Sequence, residues 1–296
     1  MTELRAALQD ALGPLYRVER EVRPVGDCRL FVALERPSGP ELLVKVLPGQ
    51  LSLAVDSGVF EREVLLLAPR LGHPGLVTPK GAGRAGSFVY HTRPFVAGTT
   101  LRAWLARHGE FPLRQAVTIL RDVLAGLAHA HAAGVAHGDL RPEHVLLADG
   151  GSAQLADAGI VDAVGRSLPG GAPGAAEVAS AALCAAPYLA PEHRPRGGGD
   201  GGGKGNGGSP RGPRDDMFAV GVLAHEMLTG KPPAPEEESL EEVRTVPPWL
   251  GELVERCLAA DPVSRWADAA AALATFGGPS GGAGGIGGSG GTVPDQ

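Results

Sequence analysis

Strand-like alternation fills the chain from Tyr16 to Leu47, helical periodicity takes over from Leu101, and the two regimes barely mix. Tyr16 to Val22 alternates with a period of two, and Cys28 to Leu34 and Glu41 to Leu47 read as further strands. Pro37-Ser38-Gly39-Pro40 supplies the turn between the last two. A helix is expected over Val59 to Leu71, stopped by His73-Pro74-Gly75, with Leu76 to Pro79 and Ser87 to Val96 as two more strands. Leu113 to His131 carries the clearest helical pattern, with Val117, Leu120, Leu124, Leu127 and His131 on one face. Helices are predicted again at Asp216 to Leu228, Trp249 to Ala259 and Ala267 to Phe276. Sheet first and helices afterwards predicts an α+β chain with two lobes: a five-stranded antiparallel sheet carrying one helix, then a mainly helical lobe. A cleft is expected where they meet.

The predicted organisation is a helical extension over residues 1–15, a first lobe over 16–97 and a second over 98–276. Two glycine-rich stretches, 194–214 and 277–296, lack apolar residues to pack and read as a flexible insertion and tail. Gly198 to Lys204 fits G-x-x-x-x-G-K, but Gly205 follows where Ser or Thr is needed and no strand precedes it, so it carries no phosphate-loop reading. The net charge of -6 gives nucleic-acid binding no electrostatic support. No run of about 18 apolar residues predicts a membrane span. The first residues carry acids and lack the apolar core of a secretory leader. Cys28, Cys184 and Cys257 are far apart and odd in number, which suggests free thiols and a cytoplasmic, reducing setting.

The chemistry concentrates in His137-Gly138-Asp139-Leu140-Arg141-Pro142-Glu143-His144, followed shortly by Asp157 in the string QLADAGIV. Two carboxylates on successive loops suit metal-assisted phosphoryl transfer, where one meets the attacking hydroxyl and the other holds Mg²⁺. His129, His131, His137 and His144 cluster in sequence, but His129 and His131 project to different sides of one helix and no cysteine accompanies them. Zinc is therefore not expected.

His137, Asp139 and Leu140 match the H-R-D-L catalytic loop, and Ala190-Pro191-Glu192 the A-P-E segment, of protein kinases. From Tyr16 to Phe276 the chain resembles bacterial serine/threonine protein kinases. The resemblance implies ATP and Mg²⁺ as cofactors and a protein as substrate or partner. It makes Asp139 the catalytic carboxylate, with Arg141 beside it in place of the family's lysine. Asp157 becomes the Mg²⁺ ligand and Lys45 the lysine that pairs with phosphate. Glu63, or Glu61 two residues before it, becomes the glutamate that orients Lys45. Val25 and Gly26 would cover the nucleotide, and Leu43 and the backbone of Val96 would contact its ring. Asp216, His137 and a Glu192–Arg265 pair would hold the scaffold.

Departures from the family pattern gather at the nucleotide. The three glycines of G-x-G-x-x-G-x-V fall on Arg23, Val25 and Cys28, where side chains hinder close backbone approach to phosphate. Leu43 replaces a small alanine. Arg93 takes the position at the back of the adenine pocket, and strand register decides whether it enters. His144 stands where an asparagine binds metal, and imidazole is a poor ligand for Mg²⁺. Ala158 replaces the D-F-G phenylalanine and Gly138 the arginine that would answer a phosphorylated loop. Residues 159–186 hold no threonine and only Ser167 and Ser180, so no switching by loop phosphorylation is expected. The sequence leaves two readings: a degenerate kinase acting as a regulatory or binding module, or an active kinase with an atypical site.

Overall fold

The computed structural model describes residues 3–169, 183–184, 186–194, 211–234, 240 and 244–277. The G-x-x-x-x-G-K string, Ser180, most of the glycine-rich insertion and nearly all of the expected tail lie outside them.

The first lobe is a five-stranded antiparallel sheet. Its strands are β1 (Tyr16–Val25), β2 (Cys28–Glu35), β3 (Glu41–Val46), β5 (Gly81–Ala85) and β6 (Phe88–Pro94), lying in the order β1-β2-β3-β6-β5. Helix α1 (Glu3–Leu12) lies on the outer face of this sheet, with Leu4 and Leu8 packed among Val18, Phe31, Val44 and Tyr90. Arg5 donates to the carbonyls of Val18 and Glu19, and Gln9 bonds Tyr16 O and Val18 N, so the helix is latched to β1. The short helix α2 (Gly49–Ala54) and then α3 (Ser57–Leu67) follow β3. Asp56 caps α3 by accepting from Val59 N–H at 2.9 Å.

The strand count matches expectation, but one strand differs. Leu76 to Pro79 does not join this sheet: β4 (Leu76–Val77) pairs in parallel with β9 (Ala153–Ala156) in the second lobe. The strand in its place is β5, whose sequence Gly-Ala-Gly-Arg-Ala reads as a loop and becomes a strand by pairing with β6. With β7 (Gly98–Thr100) and β8 (Val145–Ala148), a second sheet in the order β4-β9-β8-β7 completes the junction.

The second lobe is built on α4 (Leu101–His108), α5 (Leu113–Ala132), α6 (Ile160–Arg166), α7 (Pro213–Thr229), α8 (Pro248–Leu258) and α9 (Ala269–Leu273). Leu120, Leu124 and Leu127 of α5 are buried as the periodicity requires, while Val117 and His131 lie at the edge of the stripe. Helix α7 starts at Pro213, three residues earlier than expected and inside the stretch read as flexible. Proline suits the first helical position, and Asp215 accepts from Gly212 N–H at 2.7 Å. Helix α6, directly after Asp157, is not foreseen from sequence. Among the described residues, no helix is long and apolar enough to cross a membrane, and the described cysteines are free.

Candidate active site

Strands β3 and β6 set the upper wall of the cleft. Lys45 pairs with His91 and Leu43 with Arg93 across the ladder, so all four side chains stand on one face. The lower wall is the loop 137–144, held from beneath by Asp216 at the start of α7. The Asp216 carboxylate accepts from His137 N–H at 2.6 Å and Gly138 N–H at 2.9 Å, and meets His131 Nε2 at 3.0 Å. Gly138 adopts a φ of +79°, a conformation that glycine takes without strain. His137 is fully buried, and its Nδ1 accepts from Asp139 N–H at 3.3 Å. Glu192 and Arg265 form the expected bidentate pair, at 2.8 Å for both contacts.

Lys45, Asp139, Asp157 and His144 come together, with side chains no more than a few per cent exposed. Lys45 Nζ donates to Asp157 Oδ2 at 2.7 Å and meets His144 Nε2 at 3.0 Å. His144 Nδ1 lies 2.8 Å from Asp139 O. Burial and the neighbouring Lys45 charge hold the His144 imidazole well below its usual pKa. It is thus neutral, with Nδ1–H donating to Asp139 O and the Nε2 lone pair taken by Lys45. Burial pushes the Asp157 carboxyl up, but Lys45 and Arg93 outweigh it and hold the group well below the carboxylate range. Burial likewise favours neutral Lys45, yet Asp157 more than compensates and its pKa is raised. Asp139 differs: burial dominates the relief from Arg141 and Lys45, and its pKa rises to about 6. Arg141 Nε stands 3.6 Å from Asp139 Oδ1 and 3.9 Å from Glu143.

One residue is not where the resemblance places it. Glu63 does not reach Lys45; it pairs with Arg166 of α6 at 3.2 Å, and Glu61 is exposed to solvent. Helix α3 is tied to the segment after Asp157 along its whole length. Asp56 N–H donates to Ser167 O at 2.8 Å, Glu63 meets Arg166, and Leu67 packs so tightly on Gly159 that a Cβ there would fall 2.8 Å from it. Arg93 stands where the resemblance places it, and the register settles its direction. It enters the site, 8% exposed, with Nε 3.2 Å from Asp157 Oδ1. Register explains this: two positions from Lys45's partner His91, Arg93 returns to the cleft face.

The cleft falls into two unequal parts. Behind Val25, between Leu30, Leu43, Val96 and Leu146, there is a cavity of about 260 Å³ with Arg93 at its back. Toward Asp139, the space bounded by Cys28, Lys45, Arg141, His144 and Asp157 is about 10 Å³. The β1–β2 turn closes down here, and a Cβ on Gly26 would lie 3.7 Å from Arg141 Nη2. Lys45, His144 and Asp157 also line the larger cavity, so the two parts meet at these three residues. Mg²⁺ does not fit the donor set as arranged, since both oxygens of Asp157 face cations and His144 Nε2 faces Lys45.

Sequence reasoning missed His91. It is buried, neither ring nitrogen has a partner among the described residues, and it meets Phe60 edge-on at 6.4 Å between centroids. Burial lowers its pKa to about 4. Its place two residues before Arg93 was the available signal.

The family pattern described as "Protein kinase domain" matches residues 29–275. This chain belongs to the protein kinase family. It is 35% identical over 287 residues to serine/threonine-protein kinase PknL of Mycobacterium tuberculosis, an alignment covering 90% of this chain and 65% of PknL. With the probable serine/threonine-protein kinase pknA2 of Bifidobacterium longum it shares 28% identity over 221 residues, covering 74% of this chain and 27% of that protein. The chain thus spans under two thirds of these curated relatives. The crystal structure of the Mycobacterium tuberculosis PknI kinase domain superposes with a TM-score of 0.66 at 21% identity, covering 89% of this chain and 95% of that one. That likeness speaks for the bilobal kinase fold. The chain is a bacterial serine/threonine kinase-like domain, of a family that in general uses ATP and Mg²⁺.

Proposed function

We propose that this domain is a degenerate kinase, a regulatory or binding module in which phosphotransfer from ATP is weak or lost. The observation that carries this reading is the closed charge network Lys45–Asp157–Arg93, with His144 bound to the same lysine. Phosphoryl transfer requires those charges to face phosphate and metal. Here they neutralise one another inside the protein, where an ion pair broken without replacement is costly. The lobe surfaces would then carry the function by contacting a protein partner, in a cytoplasmic setting.

The competing reading, an active serine/threonine kinase with an atypical site, is favoured by one observation. Lys45, Asp139 and Asp157 all line one small volume, as transfer would need. A transfer assay with Mg²⁺ and ATP on a generic serine-containing protein separates the two. The proposal expects wild type to match Asp139→Asn; transfer abolished by that substitution contradicts it.

A further inference from the structure

The second lobe carries a groove, away from the cleft, that the kinase chemistry does not use. Its volume is about 840 Å³, within the roughly 300–1,000 Å³ of ligand-sized sites. One wall is a face of α7, where Phe218, Val222 and His225 follow at helical spacing, and α8 adds Val254 and Leu258. Among the described residues that line it, Arg194, His225 and Glu255 are the only ones with polar side chains.

His225 is 2% exposed. Its Nδ1 lies 3.0 Å from Lys231 O, and a carbonyl only accepts, so Nδ1 carries the hydrogen. In the neutral ring Nε2 is then a bare acceptor, and it has no hydrogen-bond partner among the described residues. The groove is poor in donors. Pro187, Pro191, Pro232 and Pro233 line it and have no N–H to give. Arg194 lies over the Phe218 ring at 5.5 Å and donates from Nε to Leu189 O and from Nη2 to Pro187 O. Glu255, a second acceptor, is exposed to solvent. An apolar ligand that brings its own donor satisfies such a wall, whereas one that brings an acceptor leaves two buried acceptors unpaired.

Among side chains, tryptophan meets both requirements. Its large apolar ring carries one N–H, which donates and never accepts. Tyrosine would turn hydroxyl lone pairs toward proline and aliphatic carbon. Buried tryptophan is also a recurrent anchor of protein interfaces. We infer that the groove between α7 and α8 docks a protein partner through an inserted tryptophan whose indole N–H meets His225 Nε2. This rests on the reading of the domain as a binding module.

The test is titration of the full chain with N-acetyltryptophanamide and with its 1-methylindole counterpart, followed by saturation-transfer NMR at millimolar concentration. The methyl group replaces the donor, so the parent compound is expected to bind about ten-fold more tightly. His225→Phe should abolish that difference, and Ala259→Phe, at a half-buried position of the lining, should weaken both compounds. If His225→Phe does not fold, the two compounds on wild type and on Ala259→Phe decide. Equal affinities, no binding of either compound, or binding that Ala259→Phe leaves unchanged overturns the inference. A dimer that Ala259→Phe dissolves overturns it too, since the occupant would be a second copy of this chain. These outcomes leave the non-catalytic reading standing; transfer from Mg²⁺·ATP contradicts that reading by itself.

Discussion

Lys45 donates to Asp157 at 2.7 Å while Glu63, the residue expected to orient Lys45, is paired with Arg166. One lysine and one aspartate thus satisfy each other, and the helix that should hold the lysine is held elsewhere. The consequences can be measured one residue at a time.

Arg93 shares Asp157 with Lys45 at the back of the cleft. Replacing it with Met keeps most of the volume and leaves Asp157 its other cation. Relief of the buried guanidinium offsets much of the lost ion pair, so stability should stay within about 2 kcal/mol of wild type in urea unfolding. Lys45 stays on Asp157 and the space toward Asp139 is unchanged, so Arg93→Met alone should not restore a Mg²⁺-dependent ATP shift in Tm. A Mg²⁺-dependent shift in the variant would mean that Arg93 by itself obstructs the site.

Asp139 carries the clearest pH signature. Its folded pKa is raised from 3.8 to about 6 by burial. A raised folded value means a contribution that is fully present below pH 3.8 and lost as pH rises through about 6. The loss is on the order of 3 kcal/mol at most. Asp139→Asn removes it, so the variant should be more stable than wild type at pH 8 and converge with it near pH 4. Parallel stability curves across that range would show that Asp139 is not strained by burial.

His91 gives the opposite slope. Its folded pKa of about 4 lies below the ordinary 6.5, so its contribution is present above pH 6.5 and fades as pH falls toward 4. His91→Leu, of comparable bulk beside Phe60, should flatten the acid limb of the stability profile. An acid limb that persists unchanged would assign it to other groups.

Arg166 tests the two readings against each other. Its pair with Glu63 is exposed on the arginine side and is worth under about 1 kcal/mol. Arg166→Ala should therefore leave stability nearly unchanged. Lys45 remains with Asp157, so phosphate transfer should stay at background. A rise in transfer would mean that Glu63 had been released to Lys45 and that the domain is a restrained, working kinase.

How legible this was follows the range of the interactions. Lys45, Asp139 and Asp157 could be placed because each sits in a local string whose strand or loop character fixes its direction. The scaffold pairs of Asp216 and of Glu192 with Arg265 followed for the same reason. Glu63 could be put on a helix but not aimed, because α6, about a hundred residues later, sets the helix's position through Ser167, Arg166 and Gly159. Strand β5 is glycine-rich and exists only through β6, and β4 has two residues, too few for a periodic signal. Arg93 was placed at the right position, and only the observed register put it in the cleft.

We propose that Lys45, Asp157 and Arg93, closed on one another, exclude a magnesium triphosphate. Titration calorimetry of wild type with ATP, with and without Mg²⁺, tests it most directly. The account predicts no Mg²⁺-dependent binding up to millimolar ATP. Saturable, Mg²⁺-dependent binding that disappears in Asp157→Ala would contradict it.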